Sequence, residues 1–187
     1  MSAEQSLETA YSALKAGNYA VALRESSALA EDGSSTAWMY LGWMHEHAAG
    51  TREDFSKAEE CYKKAISIGD SGAKFLLARM MWGLNRYKDA FVYFLAAADE
   101  GHLSSTYWTG RCYLKGYGVE KDMHMAELYL KRAADQGHLY ARRDYSRGRM
   151  RGAFGKREFV RGLVGWISVP FAMFKAMKAD RNSELMH

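Results

Sequence analysis

The chain has 187 residues, is 48% hydrophobic and 13% aromatic, and carries a net charge of +4. That is long enough for one domain with a core plus an extension, and too apolar for a disordered chain. One proline, Pro170, points to helices, and two isolated cysteines, Cys61 and Cys112, exclude a disulfide framework and a Cys-x-x-Cys redox motif.

The charge is unevenly placed. Residues 141–187 hold 11 Lys and Arg against 4 Asp and Glu, while the first 140 residues hold 15 against 18. The N-terminus, MSAEQSLETAYSALK, has early acids and no apolar core segment, so it is not read as a signal peptide. The cysteines suit small buried hydrophobes in a reducing compartment, and the cytoplasm is the expected location.

Apolar residues at helical spacing predict helices over 3–16, 18–32, 35–49, 54–68, 71–84, 87–100, 104–115, 122–136 and 139–151, and a last helical segment over 156–180. A repeat runs through the first nine. AADEGH at 97–102 returns as AADQGH at 133–138, and the terminal glycines align as Gly33, Gly69, Gly101 and Gly137. Eleven residues before each stands Ala22, Ala58, Ala90 or Ala126. Four after stands Ala37, Ala73, Ser105 or Ala141, and nine after stands Gly42, Ala78, Gly110 or Ser146. Small residues at fixed offsets mark close helix crossings, and glycine after an apolar run suits a left-handed helix stop. Each unit is therefore a helical hairpin that must stack on its neighbours to bury its apolar face.

The stretch HLSSTYWTGRCYLKGYGVEKDMHMAELYLKRAADQGH resembles a Sel-1-like repeat in Gly110, Gly116-Tyr117-Gly118-Val119, Asp122, Ala126, Tyr129 and the ending Ala133-Ala134…Gly137-His138. An earlier copy matches in Leu41-Gly42, Gly50, Asp54, Lys57-Ala58, Tyr62 and Gly69. Two copies are shorter, with 12 residues from Ala78 to Ala90 against 16 from Gly42 to Ala58. AGNYAVAL at 16–23 and LNRYKDAF at 84–91 are similar to the tight turn of a tetratricopeptide repeat. The resemblance implies an all-α, right-handed α-solenoid of four to five helical hairpins over residues 1–152, a fold that holds proteins together and does no chemistry. Residues 153–187 then form a separate basic and apolar tail.

Catalytic and metal signatures are missing from the sequence. His45 and His47 are two apart and point in different directions on a helix, and His102, His124, His138 and His187 are scattered, so no metal site is expected. The GYG at 116–118 lacks the lysine and strand–loop–helix setting of a phosphate loop, and the repeat accounts for it. No nucleophile elbow occurs. We expect no enzyme, no catalytic residue and no cofactor.

The resemblance places the first helix of each hairpin on a concave surface. Six residues after the aligned glycines stand Met39, Phe75, Tyr107 and Arg143, and ten after stand Trp43, Arg79, Arg111 and Arg147. Trp82 lies one turn beyond Arg79. These nine residues are the predicted partner-binding face, in which Arg grips carboxylates and aromatics anchor an extended or helical acidic segment. The alternative makes the aromatics core residues and the arginines solvated.

The tail opens with ARRDYSRGRMRGAFGKREFVRG at 141–162, which has eight Arg and Lys and two acids. GLVGWISVPFAMF at 162–174 follows without a charge. On a helix Phe159, Leu163, Val164, Trp166, Ile167, Phe171 and Phe174 fall on a wide apolar face, with Arg161, Ser168 and Lys175 on a narrow polar stripe and a bend at Pro170. The uncharged run is too short to span a bilayer as a helix. It reads as a terminal cap, as a surface for an anionic membrane or an integral membrane protein, or as a self-association face. The expected function is a non-catalytic adaptor that holds a protein partner on the concave face and docks by its tail on a membrane or membrane protein complex, at the inner face of a membrane; the resemblance, and no residue of the chain, implies a setting in cell-envelope or surface-polysaccharide machinery. The alternative is a nucleic-acid-associated regulator that uses the arginine-rich stretch 142–161 on phosphates.

Overall fold

The computed structural model describes residues 3–150, and every regular element in that span is an α-helix. The helices are α1 (Ala3–Lys15), α2 (Tyr19–Glu31), α3 (Ser35–Glu46), α4 (Phe55–Ser67), α5 (Ser71–Gly83), α6 (Tyr87–Asp99), α7 (Leu103–Lys115), α8 (Met123–Asp135) and α9 (Leu139–Met150). Each matches a predicted segment with ends that agree within three residues, and α7 starts one residue earlier than predicted. The predicted helix at 156–180, with Phe159, Leu163, Val164, Trp166, Ile167, Phe171 and Phe174, lies outside the described residues. The chain divides into two compact units, Met1–Tyr93 and Phe94–His187.

The linkers explain the repeat ending. Gly101 has φ +89°, a left-handed conformation that ends α6, and Gly33, Gly69 and Gly137 do the same at their helix ends. The next residue serves both helices. The His102 backbone N–H donates to the Ala97 carbonyl at 2.9 Å, closing α6, and His102 Nδ1 accepts from the Ser105 N–H at 3.2 Å, opening α7. Its counterparts are Ser34, which accepts from Ala37 N, Asp70, which accepts from Gly72 N and Ala73 N, and His138, which accepts from Ala141 N. The recurring Gly-His pair is thus a helix stop followed by an N-cap.

In the first unit, α3 packs on α4 across Gly42, where an added Cβ would lie 2.6 Å from Cε1 of the fully buried Tyr62. Apolar clusters pack between its helices. One joins Leu29, Ala37, Leu41 and Cys61, and another joins Ala13, Ala22, Met44 and Ala49, with Trp43 packed on its edge.

In the second unit, α7 packs on α8 across Gly110, where an added Cβ would lie 2.9 Å from Leu130 Cγ and 3.0 Å from its backbone nitrogen. The core here is Tyr107, Leu130, Ala133 and Ala141, flanked by Leu103, Trp108 and Tyr145. The small residues at the repeat offsets therefore stand at helix crossings, as predicted. Cys61 and Cys112 are buried thiols, pushed up to about 11 and about 12 by burial, which keeps them unreactive.

Candidate partner-binding faces

In the first unit, α1, α3 and α5 line an apolar groove of about 380 Å3. Its walls are Tyr11, Leu14 and Lys15 from α1, Met39, Tyr40 and Trp43 from α3, and Leu76 from α5. Tyr11 stacks on Tyr40 at 6.3 Å, Trp43 stacks on His47 at 4.6 Å, and Lys15 lies 5.5 Å from the Tyr11 ring. Met39 and Trp43 stand where the repeat offsets put them, although Trp43 shares its area with the core beneath. Tyr11, Leu14, Tyr40 and Leu76 lie outside the predicted face, although all four are large apolar residues on first helices: α1 carries no preceding repeat glycine to align it, and Tyr40 and Leu76 stand seven residues after their glycines, beside the predicted offset of six.

The other predicted residues of this unit are differently engaged. Arg79 is exposed and donates from Nη2 to Glu46 Oε1 at 3.2 Å. Glu46 also accepts from the Tyr62 hydroxyl at 2.7 Å, so the arginine is answered within its own hairpins. Trp82 packs edge-on against Tyr87 at 4.9 Å, and Phe75 is half-buried.

In the second unit, α7, α9 and the loop between α7 and α8 enclose a polar pocket of about 290 Å3. Arg111, Arg143 and Arg147 all line it, joined by Lys115 and Lys121. The Arg111 guanidinium rests 4.8 Å from the Trp108 ring, and that of Arg143 rests 5.3 Å from the Tyr140 ring. Arg143 Nε also donates to Asp144 Oδ1 at 3.0 Å, and this bond raises the arginine further above its ordinary range.

Tyr107 is 5% exposed, so it belongs to the core and does not face the groove. His138 covers it, ring on ring at 4.5 Å, and its hydroxyl donates to Asp144 Oδ2 at 3.0 Å. Burial, with the Asp144 charge second, pushes the phenol up to about 12. Of the arginines from 142 to 149, Arg149 lies over the Tyr145 ring at 5.3 Å, so the stretch does not present one solvated row to phosphates.

Among the described residues no three His, Cys, Asp or Glu side chains converge to hold a metal ion. No described helix is long and apolar enough to cross a membrane.

The sequence matches the Sel1 repeat model over residues 37–70, 73–102 and 103–138. The chitin synthase regulator SKT5 of Saccharomyces cerevisiae is 38% identical over 89 residues, which are 45% of this chain and 13% of that protein. Among solved structures, a protective antigen of uropathogenic Escherichia coli with an SLR fold superposes with a TM-score of 0.77 at 24% identity, covering 90% of this chain and 38% of the antigen. A Sel1 repeat protein of Oxalobacter formigenes gives 0.67 at 21% identity, over 80% of this chain and 61% of that one. The chain thus spans a minor part of the yeast regulator and of the antigen, and the solved structures establish a shared fold, the helical solenoid class.

Proposed function

Because the chain belongs to the Sel1 repeat family, whose members are protein-interaction scaffolds and generally non-catalytic, we propose that it is an adaptor that holds a partner protein on the first-helix faces of its hairpins. The observation that carries this reading is the apolar groove around Met39, Tyr40, Trp43 and Leu76. An open, aromatic-lined groove on a rigid helical frame suits the apolar anchors of a partner segment. Nothing in its walls supplies a nucleophile with a base.

The tail supplies the second contact. Residues 153–187 combine basic and apolar side chains, a composition that favours an anionic lipid surface or a membrane protein, and so a place at the inner face of a membrane. The yeast relative is a regulator of a chitin synthase, which fits an adaptor in surface-polysaccharide machinery.

The test is quantitative co-purification of the native partner with tagged chain, comparing wild type with Met39→Glu. The variant puts a charge in the groove and loses the partner while its unfolding midpoint holds. Equal recovery from both refutes the groove. Flotation on anionic liposomes, full chain against a chain ending at residue 152, tests the tail, and equal flotation removes the membrane contact from the account.

A further inference from the structure

Five cations line the second unit's pocket, and of these Arg111 and Arg143 pack on aromatic rings while Arg143 alone meets a carboxylate among the described residues. Arg111, Lys115, Lys121, Arg143 and Arg147 face one carboxylate, Asp144, so the lining keeps a net of four positive charges. Asp144 is already committed, with Oδ2 to the Tyr107 hydroxyl and Oδ1 to Arg143. None of Arg111, Lys115, Lys121 and Arg147 meets a carboxylate among the described residues.

The repeat itself supplies a control. At the same offsets, the long-loop copy in the first unit has Trp43 for Arg111, His47 for Lys115, Glu53 for Lys121 and Phe75 for Arg143. Its one arginine there, Arg79 in the place of Arg147, is neutralised by Glu46, where the second unit has Leu114. The hairpin packs equally well with either set, so packing does not call for the cations. Like charges gathered around one committed carboxylate repel one another, and an anionic partner relieves that repulsion.

We propose that the pocket formed by α7, α9 and the 116–122 loop binds an acidic peptide segment carrying two or more closely spaced Asp or Glu side chains. This deepens the adaptor reading and rests on it. A pocket of about 290 Å3 admits side chains. Three arginines offer planar forks to carboxylates, and Lys115 and Lys121 add mobile point charges at the rim. A duplex presents its phosphates on a convex surface that does not enter a cleft between helices, and the lining has no open aromatic platform for bases. The long loop of the repeat builds one wall. Gly116 ends α7 in the left-handed conformation, and the chain returns so that the Lys121 backbone nitrogen would lie 3.8 Å from a Cβ at Gly116.

The experiment is fluorescence anisotropy with the full chain and a labelled peptide, N-acetyl-Ala-Glu-Glu-Ala-Glu-Glu-Ala-amide. A Gln-for-Glu peptide and an oligothymidylate of equal charge serve as comparators. The Glu peptide is expected to saturate and the Gln peptide not to bind. Lys121→Glu, on an exposed loop, and Arg147→Glu, on an exposed helix position, each weaken binding at least about tenfold, and Arg24→Glu, exposed on α2 of the first unit, leaves it unchanged. Circular dichroism and the unfolding midpoint separate lost binding from lost fold, and Lys121→Glu decides the matter if Arg147→Glu unfolds. No saturation, equal loss in Arg24→Glu, or tighter binding of oligothymidylate than of the Glu peptide overturns the proposal. Failure here leaves the Met39 groove and its partner untouched, so the two readings fail in different assays.

Discussion

The Tyr62 hydroxyl donates to Glu46 Oε2 at 2.7 Å from a side chain that is otherwise fully buried. Glu46 sits at the end of α3 and Tyr62 in the middle of α4, so the bond ties the two helices of one hairpin together. Arg79 on α5 meets the other carboxylate oxygen. Tyr62 is thus more than a spacer opposite Gly42, since it also places the carboxylate that answers Arg79.

The two contacts to Glu46 should not be equal. A buried hydroxyl bonded to a carboxylate contributes about 1–3 kcal/mol, while an ion pair to an exposed arginine contributes about 1 kcal/mol or less. Tyr62→Phe is expected to lower stability by about 1–2 kcal/mol, and Arg79→Ala by under about 1 kcal/mol. Urea denaturation of both variants checks the order.

The helix crossings give a second contrast. Gly110→Ala places a methyl 3.0 Å from the Leu130 backbone nitrogen, which cannot swing aside. Overpacking of about 1–3 kcal/mol then outweighs the helix-propensity gain of about 1 kcal/mol. Gly83→Ala, at the end of α5, meets nothing within 4 Å and should stabilise by a few tenths up to about 1 kcal/mol. Thermal melts of opposite sign for the two variants are the expected result.

Ala48 has φ +53°, and its repeat counterpart is Gly116 at φ +76°. A left-handed conformation strains an L-residue by about 1–2 kcal/mol, against an entropic penalty for glycine of about 0.5–1 kcal/mol. Ala48→Gly is expected to raise the unfolding free energy by up to about 1 kcal/mol, measured in the same denaturant series.

His138 links stability to pH. Burial lowers its imidazole below the ordinary 6.5, with Asp144 opposing in part. The unfolded chain therefore takes up the proton first. Stability is complete above the ordinary value and is lost as pH falls toward and through the lowered one. Protonation at Nδ1 would also end its acceptance of the Ala141 N–H at 3.2 Å. His45, likewise lowered by burial, adds a term of the same sign. His138→Asn keeps a capping acceptor without the titration, so its unfolding midpoint should fall less than wild type between roughly pH 8 and pH 6.

The hairpins were legible because Gly33, Gly69, Gly101 and Gly137 set a register and the residues at fixed offsets from them must be small to let helices cross. The groove was only partly legible from the same register. An offset says which side of a helix a residue is on, and the neighbouring helix decides whether it is covered. Met39 stays half-exposed, while Tyr107 at the same offset is covered by the His138 ring. Lys115 and Lys121 escaped notice because they sit at and beyond the end of α7, off the inner stripe. The histidine of the Gly-His ending gave no physical signal until its ring was found capping the next helix.

Site-specific photo-crosslinking tests the adaptor reading most directly. Benzoylphenylalanine replaces Tyr40 in the groove of α1, α3 and α5, or Val92, which is 60% exposed on α6 of the same unit. The account predicts a discrete covalent partner adduct from position 40 and none from position 92 in the native cell. An adduct from position 92 with none from position 40 would contradict it.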